Sequence, residues 1–250
     1  MNKIKSFINN EIQTLKKDVT VFEYISWWIL RVIQAGALIH LVITNPEDGN
    51  VLLLSLNLLA TFTITLVRII LIPKKLILKI PYRCQTWLNF MIFFGSFLAQ
   101  GMRWNWKVPS FDKILHFIAG AVILLIGNEL MNMFIRKDDR ISPMFRTFAA
   151  TGFSYLAIVI WEIFEFFVDF YWVESQNQAY NISLDRDPWF FMIFGQGAQN
   201  ENQWAVFDTN VDMLCAVIGT IPAIICLYIY LSKKEMKIKE SEEKAAFTAV

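Results

Sequence analysis

The strongest constraint on the fold of this chain is the gathering of its apolar residues into long runs. A stretch of about 18 or more mostly apolar residues is long enough to cross the hydrocarbon core of a bilayer as a helix. Six segments approach or meet that measure: 23–43, 51–72, 86–101, 111–135, 147–171 and 209–231. Lipid offers no partner to a backbone N–H or C=O, so runs of this kind fold as helices that satisfy themselves. The expected fold is all-α, a polytopic membrane protein with a six-helix transmembrane domain over 23–231. Segment 51–72 (VLLLSLNLLATFTITLVRIILI) is the most uniform. Segment 86–101 (QTWLNFMIFFGSFLAQ) is the shortest, and needs its flanks to span.

Residues 1–22 do not look like a cleavable signal, because Lys3 and Lys5 lead into a polar stretch instead of a short apolar core. Ile4, Ile8, Ile12 and Leu15 recur at helical spacing among Lys3, Lys5, Lys16 and Lys17. That pattern suits an amphipathic helix lying on an anionic leaflet, and equally a solvated helix ahead of the first span.

Lysine and arginine in short loops set orientation. The N-terminal arm, the loop with Lys74, Lys75, Lys79 and Arg83, the loop with Arg136, Lys137, Arg140 and Arg146, and the tail beyond 231 are rich in positive charge. Loops 44–50, 102–110 and 172–207 are poor in it. Both termini are therefore expected in the cytoplasm, with 232–250 as a charged tail that frays or is disordered. The net charge of +1 conceals this asymmetry, and no basic groove or motif suggests nucleic acid as a partner. Cys84, Cys215 and Cys226 have no paired spacing, so they suggest neither a disulfide frame nor a thiolate metal site. Cys215 and Cys226 are expected to be buried apolar residues.

A set of seven acidic and histidine residues stands in or beside the last three apolar runs: Asp112, His116, Glu162, Glu165, Asp169, Asp208 and Asp212. Each such group inside a bilayer costs roughly 2.5–3.5 kcal/mol on insertion scales, so it is kept mainly where it faces a bundle interior, an ion or a partner. Asp112 and His116 are four residues apart, as are Asp208 and Asp212, and each pair shares a helix face. Glu162, Glu165 and Asp169 also fall on one face. The alternating topology puts all seven at the extracytoplasmic ends of helices four, five and six. Such a cluster needs protons or cations to neutralise it. Oxygen ligands with one imidazole suit a divalent metal cation, with Asp112, His116, Glu162, Glu165, Asp208 and Asp212 as candidate ligands.

Simpler roles compete for some of these residues. Asp208, before Thr209, suits the N-cap of a helix, and Asp112 has the same explanation. Asp169 is near enough to the interface to be merely solvated, and His40 reads as an interfacial or packed histidine. Arg31 needs an acceptor within the bundle, for which Glu23 is one choice, and Arg68 is expected to snorkel to the inner interface. Glu129 lies too far along its helix to join the cluster. The long 172–207 connection holds the aromatic DPWFFMIFG (187–195), which reads either as a lid over the cluster or as a membrane-surface helix.

FDKILHFIAG (111–120), WEIFEF (161–166) and FDTNVDMLCAVIG (207–219) occur in that order on consecutive helices. Together they resemble the three motifs of the YjdF-type bacterial inner-membrane proteins, a family of uncharacterised function. Over 85–225 the family's motif positions fall on Asp112, His116, Glu162, Glu165, Asp208, Thr209 and Asp212. The first motif is also loosely similar to VanZ-like membrane proteins. The resemblance implies a multi-pass protein of the bacterial cytoplasmic membrane and supplies no reaction.

Three functions fit these residues. A metal-dependent enzyme acting on a lipid or lipid-linked substrate would use His116, Glu162 and Glu165 as its catalytic groups. A structural ion would tie three helices into a scaffold. A cation or proton-coupled carrier would need a polar path toward the cytoplasm, for which Asn57, Asn128 and Glu129 are thin material. No phosphate-cradling glycine loop, nucleophile elbow or HExxH motif is present.

Overall fold

The computed structural model describes residues 2–46, 50–70, 80–108, 110–135, 140–171 and 201–248, and every regular element among them is a helix. Two compact units emerge, one of residues 1–111 with 132–134, the other of residues 112–131 with 135–250. Among the described residues three helices, Val21–Thr44, Phe111–Met131 and Val206–Ala245, are long and apolar enough to cross a membrane. A bent pair adds a fourth if it counts as one span.

Unit 1 begins with α1 (Asn2–Asp18) and α2 (Val21–Thr44). Thr20 starts α2 through a capping box, its hydroxyl accepting from Glu23 N–H while the Glu23 carboxylate accepts from Thr20 N–H. The uniform segment 51–72 is not one helix. It divides into α3 (Asn50–Ala60) and α4 (Thr63–Ile70), with a bend of 57° over Asn50–Ala60 and Thr63–Ile69. Hydropathy cannot register the cause, which lies in hydroxyls. Thr61 and Thr63 donate back to the Leu58 and Ala60 carbonyls at 2.7 Å each, a pattern that bends helices. Side chains satisfy backbone groups at the break: Arg31 Nη2 donates to Thr61 O at 2.6 Å, and Gln85 Oε1 accepts from Ile64 N at 2.8 Å.

Segment 86–101 is helical but of two kinds. α5 (Arg83–Met91) runs into a π-helix, Ile92–Gly101, closed by Met102 N donating to Phe97 O at 2.8 Å. A short α6 (Trp104–Lys107) follows. Leu54, Phe93 and Phe97 make the apolar core where α2 and α3 meet this π-helix.

The buried cations of unit 1 have partners that differ from those expected. Glu23 caps α2, and Arg31 donates to Thr61 Oγ1 and O beneath the Phe62 ring, 3.9 Å from its centroid. Arg68 does not snorkel. It is 2 % exposed, and its guanidinium forks onto both Glu11 oxygens at 2.7 and 3.1 Å while Nη1 donates to Ile80 O. Tyr82 donates to the same Glu11 carboxylate at 2.7 Å. Burial pushes the Glu11 carboxyl up, but the hydrogen bonds from Arg68 and Tyr82 and the Arg68 charge outweigh it and hold the group below the ordinary range. Burial, and then the neighbouring Glu11, push Tyr82 up to about 12. α1 is thus fastened to the rest of unit 1 by an ion pair, as neither reading of 1–22 anticipated.

Unit 2 consists of α7 (Phe111–Met131, all but its first residue), α8 (Pro143–Tyr171) and α9 (Glu201–Thr248). α8 has 29 residues, enough to span at 1.5 Å per residue, but its carboxylates dilute its apolar character. Thr147, Ala150, Ser154, Ile158 and Glu162 are buried at steps of three and four, while Phe148, Leu156, Ile160, Trp161 and Phe164 are exposed. That outward aromatic and aliphatic face is what a helix turned toward lipid shows. α9 does not fray after 231: one helix continues through the charged segment, supported by Lys239–Glu235 and Arg140–Glu242 ion pairs at 2.8 and 2.7 Å. Cys215 is half-buried and Cys226 exposed, on an apolar helix surface and not in the core expected for them.

α7 and α9 approach until their backbones touch. A Cβ on Gly120 would strike the Ala216 carbonyl oxygen, and one on Gly219 would strike the Phe117 carbonyl, so both positions require glycine. Ser154 Oγ of α8 donates to Gly120 O at 2.9 Å. Small residues at the crossing and a hydroxyl bridging helices are how membrane helices associate where no hydrophobic drive separates protein from lipid. Beyond the crossing, Leu124, Ala150, Leu227 and Leu231 form an apolar core.

Candidate functional site

The crossing aligns the start of α7, the later half of α8 and the early turns of α9 at one end of unit 2. Asp112, Lys113 and His116 come from α7, Glu162 and Glu165 from α8, and Asp208 and Asp212 from α9. His116, Glu162 and Asp212 are 8 %, 4 % and 1 % exposed, so the centre of this group is inside the helix bundle.

His116 is the pivot. Its Nδ1 lies 3.6 Å from Glu162 Oε1, and its Nε2 lies 3.7 Å from Asp112 Oδ1 and 3.9 Å from Asp212 Oδ1. N–H···O hydrogen bonds run at about 2.7–3.2 Å, so these are contacts of another kind. Two donors on one small divalent ion stand about 3–3.5 Å apart for bonds near 2.1 Å, slightly closer than the spacing here. Two donor sets meet on this imidazole: Asp112, His116 and Asp212, and His116, Glu162 and Glu165, with ligand atoms within 4.8 Å of one another in each. The donors fit a divalent cation.

Lys113 is the member that sequence reasoning missed. Its ammonium is 2.8 and 2.9 Å from the two Asp212 oxygens, 3.3 Å from Asp112 Oδ2, and in direct contact with Asp208 Oδ1. A lysine 6 % exposed among three aspartates offsets one negative charge without any bound ion. The signal was present. Lys113 is inside an apolar helix and three residues before His116, so the rule that marked the acids applied equally to it.

Asp208 is not an N-cap, since α9 begins at Glu201 and Asp208 stands about two turns inside it. Asp112 is in the first turn of α7, where the helix dipole also favours it. Glu165 accepts from Trp161 Nε1 at 2.8 Å. Trp161 is half exposed, so this edge of the cluster reaches the outer surface of α8. Asp169 is buried, not solvated, and belongs to neither donor set among the described residues. His40 is exposed, as an interfacial residue would be. The expected cover over the cluster, residues 172–200 with DPWFFMIFG, lies outside the described residues; 201–207 form the first turns of α9.

At the other end of unit 2, Arg146 Nε donates to Asn128 Oδ1 at 2.7 Å. The core of Leu124, Ala150, Leu227 and Leu231 lies along the helices between that pair and the cluster.

No curated protein and no solved structure shows significant similarity to the chain, and the looser VanZ-like resemblance has no support of its own. One family model, described as predicted membrane protein (DUF2238), matches residues 25–233, from within α2 to within α9, and so takes in every residue of the cluster. The chain belongs to this family of membrane proteins, which the YjdF-type motifs had indicated.

Proposed function

We propose that unit 2 binds a divalent metal cation at the extracytoplasmic end of α7, α8 and α9, and that it acts there on a lipid or lipid-linked substrate. The observation that carries this reading is His116: a buried imidazole with carboxylates 3.6–3.9 Å from both nitrogens and no hydrogen bond to either among the described residues. Burying an imidazole without a partner is unfavourable, and a cation shared with the carboxylates removes the cost. When bound, such a cation supplies Lewis acidity toward a phosphoryl or acyl oxygen. Glu162, Glu165 and His116 would hold such a cation, and a glutamate carboxylate beside it would take the proton of an attacking water. Trp161, held to Glu165 and exposed beside Phe164, gives a substrate in the bilayer a lateral approach.

A structural-ion reading has its own support, the tight crossing at Gly120 and Gly219 together with the Lys113 ties between α7 and α9. The test is protein purified in detergent without chelator, with bound metal counted by mass spectrometry. Wild type carrying stoichiometric metal that a Glu162→Gln, Asp212→Asn double variant loses supports the site and justifies assays on lipid phosphates and esters. Metal-free wild type, folded as well as the variant, refutes it.

A further inference from the structure

We propose that the crevice between α1 and α4 in unit 1 binds one anionic phospholipid, an acyl chain lying in the crevice and the headgroup at a mouth bordered by Lys5 and Lys16. The crevice measures about 420 Å³ and is lined by Phe7, Ile8, Ile12 and Leu15 of α1 and by Thr65 and Ile69 of α4. Binding sites for small molecules are mostly apolar and run from about 300 to 1,000 Å³. Ile8, Ile12 and Ile69 are exposed, so the crevice is open where the two helices part. Leu15 packs on the core of Val19, Trp27 and Tyr82 and closes it behind.

Glu11 and Tyr82 also line the crevice, but their polar atoms are engaged: the Glu11 carboxylate takes both the Arg68 fork and the Tyr82 hydroxyl. Glu11 therefore brings no uncompensated charge to repel an anion. The same ion pair holds α1 against α4, so the crevice is preformed.

Lys5, Ile8, Ile12 and Lys16 follow one another at steps of three, four and four residues, which puts them on one stripe of α1. Lys5 and Lys16 are exposed, one at each end of the two isoleucines. Helical side chains lean toward the N-terminus, so Lys16 leans over Ile12 and the mouth. An apolar slot edged by ammonium groups matches an amphiphile with a long hydrocarbon chain and an anionic head.

α1 ends at Asp18 and α2, which is apolar and long enough to span, begins at Val21. The crevice therefore lies beside the start of a span, where headgroups are found, and basic residues on an amphipathic helix favour anionic lipid. A peptide would bring backbone N–H and C=O groups that such apolar walls leave unpaired, whereas an acyl chain brings none.

The test is native mass spectrometry of the full chain released from nanodiscs of phosphatidylglycerol and phosphatidylcholine in equal parts. Wild type is expected to retain one lipid per chain and to prefer phosphatidylglycerol by a factor on the order of ten. Ile69→Trp, which fills the crevice, should retain neither lipid. Lys5→Gln with Lys16→Gln should retain a lipid and lose the preference. An unchanged melting temperature in detergent shows that each variant is folded, and Ile12→Trp replaces Ile69→Trp if the latter does not fold. Wild type that retains no lipid or shows no preference, a lipid that survives the filled crevice, or a preference that survives the loss of both lysines overturns the proposal.

Discussion

Units 1 and 2 both bury charge within apolar helices, and they resolve it in opposite ways. In unit 1, Arg68 forks onto Glu11, Tyr82 closes the same carboxylate, and Arg31 has Thr61 and an aromatic ring. These are finished contacts at hydrogen-bond distances. In unit 2, Lys113 lies among three aspartates, and the central imidazole stands 3.6–3.9 Å from its carboxylate neighbours. A closed ion pair stabilises a fold, whereas an open cluster is shaped for something that is added. Burial alone does not separate the two cases; the distances around His116 do.

The sharpest way to break the comparison is to remove one partner from each unit. Breaking a buried pair costs about 3–5 kcal/mol because a charge is left uncompensated. Glu11→Gln in unit 1 and Lys113→Met in unit 2 are both expected to lower the melting temperature in detergent. Only Lys113→Met should recover when manganese is added. Equal recovery of both, or of neither, would mean that the two units handle charge alike.

A smaller effect is expected at the crossing that aligns the cluster. Gly120→Ala forces α7 away from the Ala216 carbonyl, an overpacking cost of about 1–3 kcal/mol, and should weaken manganese affinity as well as stability. Loss of stability with unchanged affinity would separate the crossing from the site.

The pH dependence of unit 1 follows from Glu11. Its carboxyl is held below the ordinary value of 4.5, so its contribution is complete above that value and is lost as pH falls through the lower, folded-state value. The gap in melting temperature between wild type and Glu11→Gln should therefore be wide at neutral pH and close in acid. A gap that is constant with pH would show that the carboxylate charge is not what matters. The smallest change is Ser154→Ala, which deletes the hydrogen bond to Gly120 O and costs about 0.6 kcal/mol, the average for such bonds within membranes. A loss of several kcal/mol would show a larger role for that hydroxyl.

Much of unit 2 was legible in the sequence because helical spacing is a geometric fact. Asp112 with His116, and Asp208 with Asp212, share faces at four-residue steps, and once helices alternate those faces meet. Lys113 was passed over because a search for acidic stripes discards a cation within one. In unit 1 the bend at 57° and the π-helix escaped notice, because hydropathy measures what a side chain is and not where its hydroxyl bonds. The Glu11–Arg68 pair joins residues 57 apart in sequence, a distance over which no local pattern carries information. Asp208 was misjudged for a simpler reason: α9 starts seven residues before it, within an amide-rich stretch that looked like loop.

The most direct measurement is electron spin-echo modulation of the manganese-loaded protein, which detects nitrogen bound to the ion. The account predicts a single coordinated imidazole nitrogen in wild type and none in His116→Gln. Bound manganese without a nitrogen coupling, or a coupling that survives in His116→Gln, would contradict it.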